Sequence, residues 1–175
     1  MSTTDAPIGE FEQCHAGIVE HLNALGEVPA LVDPAAKLRH IASESLKFFS
    51  QVIYDHHSDE EKELFPAALR AAQAGAEAEQ VKSLVDTLTK QHRELETLWE
   101  SVEPDLKKLA HGKDLSHPLG DVAGLVARYK AHAQLEETEF LPLAKTILGR
   151  NDAQMGALGL SLHIRHTKLP TLMYI

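Results

Sequence analysis

Apolar residues recur along this chain at alternating intervals of three and four, and no segment alternates with period two, so the sequence predicts an all-α protein. From about Ile8 to Leu25, the residues Phe11, His15, Ile18, Leu22 and Leu25 mark one face of a first helix. Gly26 to Asp33 breaks that pattern, and Asp33 followed by Pro34 supplies an N-cap and first-turn signal for a second helix. Its stripe runs through Leu38, Ile41, Ser45, Phe48 or Phe49, Val52, His56 and Glu60, and Pro66 is expected to kink or end it. Gly75 marks the next turn. A third helix carries Val81, Val85, Leu88, His92, Leu95, Trp99 and Val102, with Pro104 expected to bend its end. Ala110 to Pro118 reads as a loop. The fourth stripe is Val122, Leu125, Tyr129, His132 and Glu136, with a kink expected at Pro142 and a stop at Gly149. Asn151 and Asp152 are expected to cap a short fifth helix holding Met155, Leu158 and Leu162, which Pro170 ends. The predicted architecture is an antiparallel four-helix bundle over about 8–149, with a C-terminal helix and tail over 150–175, in a single domain of 175 residues.

The stripes are not wholly apolar. Each of the four main ones holds a histidine near its middle, and two add a glutamate four residues later: His56-x-x-x-Glu60 and His132-x-x-x-Glu136. Residues four apart stand one above the other on a helix, so each pair aims an imidazole and a carboxylate at one point. The segments repeat further, reading His-x-x-x-Glu-Glu-x-x, two apolar residues, then Pro66 or Pro142. His15 precedes His56 by 41 positions and His92 precedes His132 by 40, which predicts two helix pairs about a pseudo-twofold axis. An ionised carboxylate buried without a partner is too costly to persist. No stripe carries an inward Lys or Arg to pair with Glu60 or Glu136, so cations from outside the chain are the simplest remedy. The candidate metal ligands are therefore His15, His56, Glu60, His92, His132 and Glu136, with Glu96, one turn after His92, as a further candidate.

Other residues of these types take plainer readings. Glu61, Glu63, Glu137 and Glu139 are expected on a solvated face. His57 is rotated about 100° from His56, and His21 about 240° from His15, so neither should share its neighbour's face. His40, His111 and His117 read as surface or loop residues, and Cys14 as a packed thiol. His163 and His166, three apart, could form a surface metal pair or reach the mouth of the bundle.

Composition narrows the partners. The formal charge of −9 and the absence of any cluster among the 17 Lys and Arg argue against nucleic acid or an anionic membrane surface. The start, MSTTDAPIGE, has no basic or apolar signal region, and no apolar run approaches a membrane span. One cysteine excludes an internal disulfide framework, so the expected setting is a reducing cytoplasm. Homo-oligomerisation is left open.

The set His15, His56-x-x-x-Glu60, His92 and His132-x-x-x-Glu136, with its Leu-Phe-Pro and Phe-Leu-Pro tails, resembles the hemerythrin-like family of His-His-Glu cation-binding domains over roughly Phe11 to Ile147. The resemblance implies a four-helix bundle around a non-haem di-iron centre, with both carboxylates bridging and imidazoles capping each iron. It implies a small diatomic ligand, O₂ or NO, or a response to iron. The oxygen carriers of that family place a fifth histidine where this chain has Glu96. Four His and two Glu resemble more closely the nitric-oxide-responsive proteins that repair iron centres. The donor set itself suits Fe, Mn or Zn, not Cu(I) or Ca. The expected function is thus a metal-binding protein with two ions, iron foremost, that binds or senses O₂ or NO or stores iron. The alternative is a di-iron enzyme reducing O₂, peroxide or NO, or a repair protein.

Overall fold

The computed structural model describes residues 6–28, 35–151, 155–156 and 158–159. Among these residues there is no strand. The helices are α1 (Ala6–Leu25), α2 (Ala35–Asp59), α3 (Phe65–Ala71), α4 (Ala76–Ala110), α5 (Val122–Leu135) and α6 (Leu141–Leu148). Two single π-helical turns, Glu60–Leu64 and Glu136–Phe140, join α2 to α3 and α5 to α6, so these pairs are continuous rods.

The topology follows from where each rod buries its apolar residues. One cluster gathers Ile8 and Phe11 of α1, Leu64, Phe65 and Ala68, Val81 to Leu88 of α4, and Phe140 to Leu148. A second gathers Ile18 to Leu25, Ile41 to Ile53 of α2, Leu95 to Leu106 of α4, and Val122 to Tyr129 of α5. Hence α1 and α4 run from the first cluster to the second, while α2–α3 and α5–α6 run back. Helices α1 and α4 each pack on α2 and α5, and α3 meets α6, which makes an up-down-up-down four-helix bundle. Between the clusters all four rods present polar side chains, at positions 15, 56, 60, 92, 132 and 136.

Local chemistry sets the ends of the rods. Asp121 caps α5, its Oδ1 accepting from Gly124 N at 2.8 Å. At the end of α4 the Gly112 N–H bonds Leu109 O at 2.9 Å and the Lys113 N–H bonds Lys108 O at 2.9 Å, with Gly112 at φ +66°. That is a Schellman closure, which needs the left-handed backbone glycine adopts freely. Buried Asp105 ties down the following loop, accepting from Gly120 N at 3.4 Å and facing His117 Nε2 at 3.4 Å.

Of the two outcomes expected at Pro66, a kink or an end, the helix does not end there, and it continues past Pro142 as well. A proline lacks the N–H for the α-helical bond and crowds the carbonyl four residues back. Here the turn before each widens, so that Phe65 N–H bonds Glu60 O and Leu141 N–H bonds Glu136 O, five residues apart, and the rod continues. Helix α4 likewise runs through Pro104 to Ala110, because Pro104 is exposed and the carbonyl it leaves unpaired can be hydrated. The Asp33-Pro34 start, Asp152, Leu162 and Pro170 lie outside the described residues. Met155 and Leu158 are buried in the first cluster, in the helical segment expected there.

Phe49 is fully buried and its ring meets those of Trp99 at 5.4 Å and Tyr129 at 6.2 Å, joining three rods below the polar layer. Phe49→Ala should therefore cost about 3–5 kcal/mol. Urea unfolding should show it as a lower midpoint at unchanged slope.

Candidate metal centre

All six predicted residues converge. His15, His56, Glu60, His92, His132 and Glu136 are between 0% and 4% exposed. Their side chains form two groups, His15, His56, Glu60 and Glu136 on one side and Glu60, His92, His132 and Glu136 on the other. Within each group the ligand-type atoms lie within 4.8 Å of one another, and the two carboxylates belong to both. On the first side His15 Nε2 is 2.6 Å from Glu136 Oε2, and His56 Nε2 is 3.6 Å from Glu60 Oε1. On the second, His92 Nε2 is 3.4 Å from Glu60 Oε2 and His132 Nε2 is 3.4 Å from Glu136 Oε1.

Spacing explains part of this and the π turns the rest. Each His-Glu pair sits at the end of an α-helical run, where the i to i+4 relation aligns them, and each glutamate is the first residue of a widened turn. The widening re-phases the helix, so Leu64, Phe65, Phe140 and Leu141 still face the core and close one side of the layer.

Crowding in this layer shifts the chain's own titratable groups strongly. Burial, reinforced by Glu136, lifts the Glu60 carboxyl to about 7. Burial also works against ionised Glu136, but the neighbouring His15 and His92 imidazoles outweigh it and hold that carboxyl well below the usual range. His92 is disfavoured as a cation by burial, yet Glu136, Glu60 and Glu61 raise it to about 10. His132 falls to about 3, chiefly through burial. Among the described residues, seven buried side-chain atoms lack a hydrogen-bond partner: His15 Nδ1, His92 Nε2, His132 Nε2 and both oxygens of Glu60 and of Glu136. Native interiors rarely leave such atoms unpaired. His15 Nε2 and His56 Nε2 also face each other at 2.9 Å. Lone pairs aimed at common points, two nitrogens and two oxygens on each side, fit the donor set of a first-row divalent ion.

Outer contacts orient the imidazoles. His92 Nδ1 donates to Glu61 Oε1 at 2.8 Å and His132 Nδ1 to Gln91 Oε1 at 2.9 Å, which turns each Nε2 inward. His56 Nδ1 lies 3.5 Å from Cys14 Sγ, a thiol that burial and the nearby glutamates keep protonated. Glu61 was expected on the solvated face. Instead it is half-buried and also binds the guanidinium of Arg93. Glu137 and Glu139 are exposed as expected.

Two further expectations need correction. His57 is not turned away but buried, its ring stacked 3.9 Å from His92, because a rod with two neighbours buries an arc wide enough for adjacent residues. Glu96 falls in neither of the two groups, and its carboxylate accepts from His57 Nδ1 at 2.9 Å and from Arg93 Nη1 at 2.6 Å. A stripe reading that allowed a second inward residue per turn would have found His57. Nothing in the sequence marks Gln91 or Glu61 as acceptors, since their partners lie on other rods. His40, His111 and His117 are exposed as expected, and half-buried His21 stacks on Phe48 at 3.7 Å. His163 and His166 lie outside the described residues.

A family model described as the hemerythrin HHE cation binding domain matches residues 6–144. An uncharacterized protein of Haemophilus influenzae (strain ATCC 51907 / DSM 11121 / KW20 / Rd) is 24% identical over 145 residues, which cover 80% of this chain and 80% of that protein. No solved structure matches the chain.

Loss of the Glu61 contact should release His92 to rotate. Glu61→Ala should weaken metal binding about 10–100-fold, the usual effect of removing such an outer partner. Glu139→Ala should leave it unchanged, both read by competition with a coloured chelator.

Proposed function

Because the chain belongs to the hemerythrin HHE cation-binding domain family, we propose that it holds two metal ions, iron foremost, and uses them to bind or sense a small diatomic molecule such as O₂ or NO, or to store iron. The observation that carries the reading is the pair of four-donor groups sharing Glu60 and Glu136. His15 and His56 would serve one ion, His92 and His132 the other, and the two carboxylates both. Two imidazoles and two carboxylates leave an octahedral ion with free positions, whereas tetrahedral Zn would be filled. Iron in that setting would supply redox exchange and a place for a diatomic ligand. Zn and Mn suit the same donors.

The chain's own residues limit what can approach. Every donor is at most 4% exposed, and apolar clusters lie above and below the layer, so a ligand of two atoms suits the site better than an organic substrate. The same clusters exclude bulk water, and the outer bonds from Glu61 and Gln91 hold His92 and His132 in the tautomer that presents Nε2. Among the described residues no helix is long and apolar enough to cross a membrane. Consumption of O₂, peroxide or NO with a reductant, at many equivalents per chain, would favour the enzymatic alternative.

Metal analysis of untagged protein from iron-replete cells tests the reading directly. About two ions per chain are expected, since the six residues form two four-donor groups that share both carboxylates. A reproducible value near one, or near zero, would reject the dinuclear centre. Glu136→Ala and Glu60→Ala should each remove a shared carboxylate and lose most of the metal, with a fall in Tm of the variant toward that of chelated wild type.

A further inference from the structure

Beyond the polar layer, at the far end of the second apolar cluster, lies a cavity of about 460 Å³. It is bounded by the turn after α1, the start of α2, the end of α4 and the loop leading to α5. Leu109, on its wall, stands 17 residues beyond His92, about 25 Å along α4, so the cavity is separate from the candidate centre. We propose that it binds an amphipathic monoanion, an aliphatic carboxylate of medium chain length, with the tail among its leucines and the head on Arg39 and Lys113.

The wall selects the tail. Val28, Leu38, Leu109, Leu115 and Leu119 line the cavity, and no aromatic ring stands among its described lining residues, so nothing there would stack on a planar base. The four leucines come from two helices and a loop, and each is only half-buried. Such a surface holds water poorly, because an ordered water needs two to four polar partners. The volume falls in the range of about 300–1,000 Å³ usual for small-molecule sites.

The rim selects the head. Other cations at this end of the bundle are paired: Lys37 with Glu27 at 2.9 Å, Lys107 with Glu103 at 3.0 Å and Lys108 with Asp105 at 3.3 Å. Arg39 and Lys113 both line the cavity, and neither has an ion-pair or hydrogen-bond partner among the described residues. Asp114 is the carboxylate among the described lining residues, so the two cations leave the rim with one net positive charge, in a chain whose formal charge is −9. The α4 closure places Arg39: Gly112 stands beside its stem, and a Cβ there would come within 3.3 Å of Arg39 Cδ and 3.8 Å of its Nη1. The bare turn therefore gives the guanidinium room at the mouth. Its planar fork matches a carboxylate, and Lys113 adds a point charge.

Calorimetric titration of the full chain with hexanoate, octanoate and decanoate, each below its micelle concentration, tests the assignment. One site per chain is expected, with affinity rising about fourfold for each added methylene. Arg39→Glu, a change at an exposed position, should lower decanoate affinity about tenfold at low salt. Neutral 1-octanol should bind more weakly than octanoate. Leu119→Trp, which fills the cavity from the loop, should abolish binding at unchanged helix content. If that variant fails to fold, the chain-length series and Arg39→Glu decide. No saturable heat with any of the three acids would overturn the proposal, as would undiminished binding to folded Leu119→Trp or to Arg39→Glu. Equal affinity for octanol and octanoate would also overturn it, by showing unselective sorption. So would binding to vesicles of phosphatidylcholine and phosphatidylglycerol that free decanoate does not compete away, which would make the patch a membrane contact.

Discussion

Two carboxylates, Glu60 and Glu136, meet at the centre of the bundle with the imidazoles of His15, His56, His92 and His132 within 4 Å, and the fold is organised around that confrontation. A pair of buried negative charges is untenable alone. Among the described residues no buried Lys or Arg answers it: Arg93 is 55% exposed and spends its charge on Glu61 and Glu96. Compensation falls to the imidazoles of the layer and, on the proposed reading, to cations from outside, which would tie the packing of the core to the occupancy of its centre.

The apolar clusters and the widened turns serve the same constraint. A helix that presents a histidine and a glutamate inward and then meets a proline would ordinarily turn its next apolar residues away from the core. The π turn absorbs both problems at once: it tolerates the missing N–H of Pro66 or Pro142, and it returns Phe65 and Phe140 to the interior, where their rings meet edge to face at 5.0 Å. The lid over the polar layer is thus a product of the same local irregularity that ends each ligand pair.

Much of this was legible in the sequence because the period of a helix is rigid. A histidine and a glutamate four apart must share a face, and four histidines in mid-stripe had to meet if the helices formed one bundle. Other features depend on neighbours that the one-dimensional pattern does not contain. Gln91 and Glu61 acquire their roles only when α5 and α4 bring His132 and His92 beside them, across 41 and 31 positions of chain. His57 was misjudged because its angle was measured from the centre of a stripe, whereas the true boundary is the width of the arc that two packed neighbours cover. The prolines signalled an irregularity, but the choice between a kink and a wider turn is made by tertiary packing. Glu96, placed by spacing at the margin of the stripe, does lie at that margin, bonded to a side chain from another helix.

The single tryptophan of the chain has a consequence of its own. Trp99 is 1% exposed and stands two turns beyond His92 on the same helix, about 10 Å along its axis. Its indole therefore sits in a dry aromatic setting, against Phe49, within range of the proposed centre, where iron, being open-shell, would drain its excited state. The molecule carries a built-in optical gauge: its ultraviolet emission should brighten as the centre empties, so that loading and release can be followed in unlabelled protein, in real time, without a dye.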